Sequence, residues 1–314
     1  MKLGFIKPNY PNEKRVALLP KDIMNFENEI IVERGFGHYL DISDEEYIDR
    51  GCQVLSRREI FERCEAIFSL KLIQKTDYEF LRKGQMIIGW THPTGSGYDF
   101  MNSQAIPKEL IIVDLDNIYP AIYHKKRKVD IEWIPKNFVS GNSFNAGYAA
   151  TMHALMSYGL IPDSNTKIAI LSPGNVSQGA FYAISKFGAK VRLFYRKTME
   201  EFKNSIGEFD VIINGIEVDE PNTHIINKKE LEKVKKNCLI IDAAADAGNA
   251  IEGTKYTTID YPIYQEDGVY YYVVNNAPSI FYRNASQLIS ESFSKHIYKP
   301  NVYKFIDLAK KITD

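Results

Sequence analysis

Short apolar runs alternate along the chain with stretches whose apolar residues recur at helical spacing. Residues 2–6 read as a buried strand, and strand patterns recur at 29–32, 66–72, 85–89 and 110–113. Residues 15–19 resume an apolar pattern that Pro20 ends. Residues 44–50 carry a helical pattern with Gly51 just beyond it. Ser56 followed by Glu59 is a capping-box signal for a helix through about Cys64. A short helix is expected at 77–82, closed by Gly84. The second half repeats the alternation. A helical stretch at 142–159 leads to a linker at 161–164, then a clean apolar strand at 167–171. A helix at 176–187 and a strand at 190–195 complete a βαβ unit. Further strands are expected at 210–214, 238–242 and 270–274, and 284–312 reads as mostly helical. Strands alternating with helices predict parallel α/β layers.

Composition adds bounds. The chain has 314 residues, 45% hydrophobic and 25% charged, which supports more than one globular core. The fold class expected is α/β, with two domains, each a mostly parallel sheet flanked by helices. Net charge is −1, so no global field draws it to nucleic acid or an anionic membrane. The basic run Lys125-Lys126-Arg127-Lys128 reads as a solvated loop. Cys52, Cys64 and Cys238 are odd in number and lack zinc-site spacing, which suits reduced thiols in a cytoplasmic protein and no metal. The first apolar stretch is too short for a signal peptide. No segment is long and apolar enough to span a bilayer.

The strongest local motif is Ser172-Pro173-Gly174-Asn175-Val176, with Gly179 after it, between the strand at 167–171 and its helix. Gly174 would let the backbone approach a pyrophosphate, and Gly179 would let the helix pack on the strand. The helix N-terminus offers N–H groups and positive dipole to phosphates. Ser172 stands where the dinucleotide fingerprint has its first glycine. The next strand ends in Tyr195-Arg196-Lys197, with no acid before Glu200. A carboxylate there would hold a ribose 2′-hydroxyl, whereas Arg196 and Lys197 would attract a 2′-phosphate. These features predict a Rossmann-type domain and NADPH rather than NADH.

The chain resembles the alanine dehydrogenase, saccharopine dehydrogenase and transhydrogenase group over nearly its whole length. The resemblance rests on Glu13-Lys14-Arg15-Val16, on Ser69-Leu70-Lys71, on Leu81-Arg82-Lys83-Gly84-Gln85 and on Trp90-Thr91-His92-Pro93. In the second half it rests on Asp242-Ala243-Ala244-Ala245-Asp246-Ala247-Gly248-Asn249 and on Asn275-Asn276-Ala277-Pro278. It implies that Arg15 grips a keto-acid carboxylate and that Lys71 and His92 are catalytic. Trp90 would stand at the substrate. Asp246 would be the catalytic-site aspartate, serving a cationic intermediate or orienting His92. Asn276 would lie beside the nicotinamide. Leu72 and Ile73 replace the Glu and Pro that often follow the group's lysine.

Within the group the resemblance is strongest to a branch that condenses pyruvate with the side-chain amine of ornithine and reduces the imine with NADPH. Lysine is a second amine donor open to such a site. Alanine dehydrogenase, with ammonia and NADH, and a saccharopine-type dehydrogenase are the alternatives. The expected domains are 1–140, completed by 283–314, for substrate and 141–282 for NADP. A homo-oligomer, a tetramer, is implied by the resemblance alone.

Overall fold

The structure, a computed structural model, describes residues 1–116, 119–218 and 223–311. The chain divides into two compact units, Met1–Val139 with Ser286–Asp314, and Ser140–Ala285.

The first unit is built on an eight-stranded sheet in the order β3-β2-β1-β4-β5-β6-β7-β8. The strands are β1 (Lys2–Ile6), β2 (Glu29–Glu33), β3 (Gln53–Leu55), β4 (Ala66–Ser69), β5 (Met86–Gly89), β6 (Ile111–Asp114), β7 (Ala121–His124) and β8 (Arg127–Asp130). Strands β3 through β6 pair in parallel, and β7 and β8 add antiparallel. Apolar residues on both faces of β1, β4, β5 and β6 explain the continuous hydrophobic runs. Leu3, Phe5, Phe68, Ile88 and Val113 enter one core with Phe293 and Tyr298. Ile6, Ile67, Ile87 and Ile112 enter a second with Ile60 and Phe61. The predicted capping box forms, with Ser56 and Glu59 opening the helix Arg57–Arg63.

Residues 15–19, the apolar run that Pro20 closes, are irregular chain. The N–H groups of Val16 and Leu19 donate to the hydroxyls of Ser286 and Ser290, both at 2.8 Å. Side chains thus satisfy backbone that would otherwise need a sheet ladder. The strand at 66–72 ends at Ser69, which leaves Lys71 beyond it. The short helix is a 3-10 helix, Lys75–Phe80. The basic run is a hairpin: Lys125 and Lys126 turn with positive φ, and Arg127 and Lys128 begin β8, an edge strand with charged, exposed side chains.

The second unit holds a six-stranded sheet in the order β10-β9-β11-β12-β16-β15. Its strands are β9 (Lys167–Leu171), β10 (Lys190–Phe194), β11 (Val211–Asn214), β12 (Leu239–Asp242), β15 (Ile263–Glu266) and β16 (Val269–Tyr272), with β13 (Ala247–Gly248) and β14 (Ile251–Glu252) as a separate pair. Only β15 runs antiparallel in this sheet. The helix Asn175–Ser185 packs on the helix Ser140–Tyr158. A Cβ on Gly179 would stand 1.9 Å from the Phe144 carbonyl oxygen, and one on Gly147 1.8 Å from that of Val176. Gly179 therefore serves helix-on-helix packing, not the helix-on-strand packing expected of it. Each helix gives the other a glycine. Among the described residues no helix is long and apolar enough to cross a membrane.

Candidate active site

In the first unit the chain leaves β1 for β2 and β3 on one side, and β4, β5 and β6 continue on the other. Crevices outside the carboxyl ends of parallel strands, at such a reversal, are where α/β sheets bind ligands. Glu13 and Arg15 lie on the segment after β1. Lys71 follows β4, Trp90 and His92 follow β5, and Asp116 follows β6.

Glu13 and Arg15 are 3% and 2% exposed and form a buried pair. Arg15 donates from Nε to Glu13 Oε1 at 2.8 Å and from Nη2 to Oε2 at 2.6 Å. Burial raises the Glu13 pKa, but the charge and hydrogen bonds of Arg15, with help from Lys71, hold it below the ordinary carboxylate value. One edge of Arg15, its Nε and Nη2, is thus occupied by Glu13.

Lys71 Nζ lies 5.2 Å from the centre of the Tyr10 ring and 5.6 Å from that of Trp90. It has no ion-pair partner among the described residues. Burial and the nearby charge of Arg15 push it down to about 8, against the attraction of Glu13 and Asp116. The Arg15 guanidinium sits 4.9 Å from the centre of the Trp90 ring. Trp90 is therefore within cation–π range of both cations. Its indole N–H is buried and meets no acceptor among the described residues.

His92 has φ +43°, a left-handed backbone rare for a non-glycine residue. The fully buried Asp114 pins it: one carboxylate oxygen accepts from Thr91 N and Thr91 Oγ1, both at 2.9 Å, and from His92 N at 3.2 Å. Burial raises the Asp114 pKa, as does the charge of Asp116, against the donors from Thr91. The His92 ring bonds Asp116 through Nδ1 at 2.9 Å. Burial disfavours the imidazolium, yet the hydrogen bond and charge of Asp116 outweigh it and raise the His92 pKa. A carboxylate only accepts, so Nδ1 carries the proton and Nε2 is left for a reactant. The orienting carboxylate of His92 is Asp116, which the sequence reading missed. The one available signal was an Asp-x-Asp at the end of the strand beside the histidine's own.

In the second unit Ser172 has φ +94°, the conformation a glycine would take without strain. Its N–H donates to Phe194 O at 2.7 Å, and its Oγ accepts from Gly174 N at 3.0 Å. Gly174 caps the helix Asn175–Ser185 with no side-chain hydrogen bond, and no acid stands in the first turn. Pro173 and Gly174 are exposed, whereas Asn175 and Val176 are partly buried. Strand β10 lies beside β9 with Phe194 opposite Leu171, so Tyr195, Arg196 and Lys197 emerge next to this turn. All three are exposed, and Thr198 Oγ1 ties their turn by accepting from Tyr195 N at 3.0 Å. Arg196 and Lys197 have no ion-pair partner among the described residues. Asp246 is engaged within its unit, accepting from Val218 N at 2.8 Å and from Asn249 Nδ2 at 2.7 Å. Asp242, buried at the end of β12, is pushed up to about 6 by burial despite the donors Asn214 Nδ2 and Asp246 N. Asn276 is buried at the start of the 3-10 turn Ala277–Ser279.

Residues 5–126 match the model of the alanine dehydrogenase/PNT N-terminal domain, and residues 164–310 that of the alanine dehydrogenase/PNT C-terminal domain. A Clostridium botulinum protein named N(5)-(carboxyethyl)ornithine synthase is 59% identical over 100% of this chain and 99% of its own. A Lactococcus lactis protein of the same name is 55% identical over 99% of each. The solved structure of an L-alanine dehydrogenase superposes with a TM-score of 0.79 at 19% identity, covering 100% of this chain and 94% of the other. The chain belongs to the N(5)-(carboxyethyl)ornithine synthase family, within the alanine dehydrogenase/PNT group.

Proposed function

We propose that the protein condenses pyruvate with the side-chain amine of L-ornithine or L-lysine and reduces the resulting imine with NADPH. The activity named for the relatives supports the reductive condensation. The observation that carries the reading is the first-unit cluster: Lys71 without a carboxylate partner, beside Arg15 and Trp90, with the His92–Asp116 pair on the neighbouring strand ends.

The keto acid brings a carboxylate and a carbonyl. Lys71 is the cation free to meet them, because Glu13 holds one edge of Arg15. Arg15 then acts mainly by its charge, which adds to the field on the substrate. The amine donor enters as an alkyl ammonium with a solution pKa of about 10 and must lose a proton before it attacks the carbonyl carbon. His92 Nε2 takes that proton, and Asp116 stabilises the imidazolium that forms. The carbinolamine hydroxyl leaves as water on receiving the proton back. A cationic imine remains, for which Asp246 is the proposed stabilising carboxylate.

The second unit fits a dinucleotide. Gly174 carries no side chain, the helix N-terminus after it has no side-chain cap, and no acid stands in its first turn to repel phosphate. Ser172 through Val176 would hold the pyrophosphate, and Asn276 would flank the nicotinamide. Tyr195, Arg196 and Lys197 would hold the adenosine end, the two cations meeting the 2′-phosphate of NADPH. When bound, the nicotinamide supplies the hydride.

The test is dinucleotide oxidation with pyruvate and ornithine, lysine or ammonia in turn, with NADPH and NADH compared. Turnover with a diamino acid and NADPH is the expected result, with a carboxyethyl adduct found by mass. Turnover with ammonia and NADH alone would make the reaction that of an alanine dehydrogenase and end this reading.

A further inference from the structure

The irregular segment that carries Arg15 has its backbone held by side chains. The bonds between Arg15 and Glu13 tie the guanidinium to its own loop, not to the sheet. Beyond Arg15, Val16 N donates to Ser286 Oγ and Leu19 N to Ser290 Oγ, both at 2.8 Å. The carbonyls between them accept from hydroxyls: Ala17 O from Tyr298 Oη at 3.3 Å and Leu18 O from Tyr47 Oη at 2.8 Å. Ser286, Ser290 and Tyr298 all belong to the C-terminal stretch that completes the first unit.

Serine is an unexpected residue at these two helix positions. The helix Tyr282–Phe293 carries Ser286 and Ser290 on its buried face. Alanine would favour the helix more and would bury no polar atom. A buried hydroxyl is tolerated where it is bonded, and each of these answers an N–H of the Arg15 segment. The two hydroxyls hold different ends of it. Ser290 holds the far end and also donates to Asp22 Oδ2 at 2.6 Å. Ser286 holds the peptide unit that joins Arg15 to Val16. That unit is planar, so fixing the direction of the Val16 N–H also fixes the Arg15 carbonyl and the point from which the Arg15 side chain departs. The side chain ends 4.9 Å from the centre of the Trp90 ring, the same ring that Lys71 Nζ approaches to 5.6 Å.

We propose that Ser286 is a positioning residue for the keto acid: its hydroxyl oxygen, by accepting from Val16 N, sets the Arg15 peptide and so holds the guanidinium beside Trp90 and Lys71. The inference rests on the proposed reaction of pyruvate and on the charge of Arg15 acting there. It adds a residue far along the chain that makes no appeal to substrate contact and works through Arg15 alone.

Ser286→Ala removes the acceptor, and Ser286→Thr keeps it while adding a methyl. Ser290→Ala takes two bonds from the far end of the same segment. The readouts are melting temperature, and KM and kcat with pyruvate varied at saturating diamino acid and NADPH. Ser286→Ala should raise the KM for pyruvate about tenfold, the scale of one weakened contact between charged groups. Its kcat should stay within about twofold of the parent, because the substrate carboxylate keeps its charge from ground state to transition state. Ser290→Ala should melt at least as low as Ser286→Ala, yet keep the KM of the parent. Ser286→Thr should return KM toward the parent whatever the methyl does to melting. In the pair variant Glu13→Gln/Arg15→Met, which leaves neither partner as an unpaired buried charge, KM should already be raised. Adding Ser286→Ala to it should raise KM no further. Equal rises in KM for the two serine-to-alanine variants would overturn the proposal, as would an unmoved KM in Ser286→Ala or a further rise without Arg15. A parental KM in Glu13→Gln/Arg15→Met would instead remove Arg15 from the keto-acid site, and the proposal would fall with it. A parent that does not turn over pyruvate would end the functional reading first, and the proposal with it.

Discussion

The first unit carries its candidate chemistry on side chains, and the second carries most of it on backbone. Both use the same topological feature, the carboxyl ends of parallel strands where the order reverses. In the first, that crevice receives Glu13, Arg15, Lys71 and His92, ionisable groups held at reduced exposure beside two aromatic rings, with the exposed Asp116 at its edge. In the second it receives a turn, a helix N-terminus and glycines that let two helices touch. Buried ionisable groups change pKa with each neighbour, so the first site is tuned by charge. A backbone site is tuned by which positions lack a Cβ. The two therefore fail in different ways when altered.

Lys71→Met gives the largest effect, and it should split activity from stability. Loss of a partly buried cation that has no ion-pair partner among the described residues should lower kcat/KM by about a thousandfold, in the range typical of a key electrostatic group. In the folded protein it is pushed down to about 8, below the ordinary lysine value of 10.5, so the charged form is disfavoured by folding. That cost is absent above about pH 10.5, grows as pH falls, and is full below about pH 8. The variant should therefore be more stable than the parent at pH 7, by about 1–3 kcal/mol after allowance for the partial exposure of the side chain. The gain should vanish as pH approaches 10.5. A variant that loses activity and also melts lower would show Lys71 to be structural.

Gly179→Ala makes the opposite kind of change in the other unit. A methyl 1.9 Å from the Phe144 carbonyl oxygen must push two helix backbones apart, since no flexible side chain can yield. A loss of about 3 kcal/mol is expected. Thermal melting without ligands checks it, and an unchanged melting temperature would mean that the helices pack less closely than described.

Asp116→Asn should lower kcat by about a hundredfold, because an amide no longer fixes which ring nitrogen carries the proton. With the carboxylate gone, burial and the charge of Lys71 lower the His92 pKa against the charge of Asp114 alone. The acidic limb of the kcat/KM profile should move to lower pH than in the parent. Stability follows the same sign. A histidine raised by its partner stabilises the fold fully below about pH 6.5 and loses that contribution as pH rises through the folded value. The parent–variant stability difference should accordingly shrink toward alkaline pH. An unmoved limb would remove Asp116 from the pair.

How much of this was legible follows from the same contrast. Lys71 and His92 could be found because each closes an apolar strand run and has a chemically expressive side chain. Asp116 could not, because its partnership depends on β5 and β6 being neighbours in register, Gly89 opposite Asp114. The helix partner of Gly179 was hidden for the same reason, since a glycine does not say which element it lets in. The parallel cores were plain from their hydrophobic runs. The antiparallel edge strands β8 and β15 were not, because short edge strands with charged, exposed positions look like loops. Ser172 shows the limit most sharply: residue type argued against a left-handed turn that the fold nevertheless imposes.

Arg196→Ala and Lys197→Ala test the place where the second unit uses positive charge. Each should weaken NADPH binding by about tenfold, the scale of a charge-assisted hydrogen bond at an exposed site. NADH binding should not change, since it lacks the 2′-phosphate. Equal losses for both dinucleotides would return these residues to a structural turn.

The smallest effect is expected at Trp90, where the first unit departs from its own rule by using a neutral donor. The indole ring lies within cation–π range of Arg15 and Lys71, and its buried N–H has no protein acceptor among the described residues. A donor in that state costs about 1–3 kcal/mol unless a ligand or water meets it. Trp90→Phe keeps an aromatic ring against Phe293 and removes the N–H. If the keto acid is the missing acceptor, KM for pyruvate should rise about three- to tenfold, the lower end of what one hydrogen bond contributes. Turnover at saturation should hardly move, because the same bond is made in the ground and transition states. If water is the acceptor, the KM for pyruvate should stay within twofold of the parent, a change of about 0.4 kcal/mol by RT ln 2. Kinetics with pyruvate varied at saturating amine and dinucleotide separate the two, and only the first keeps Trp90 in the substrate site.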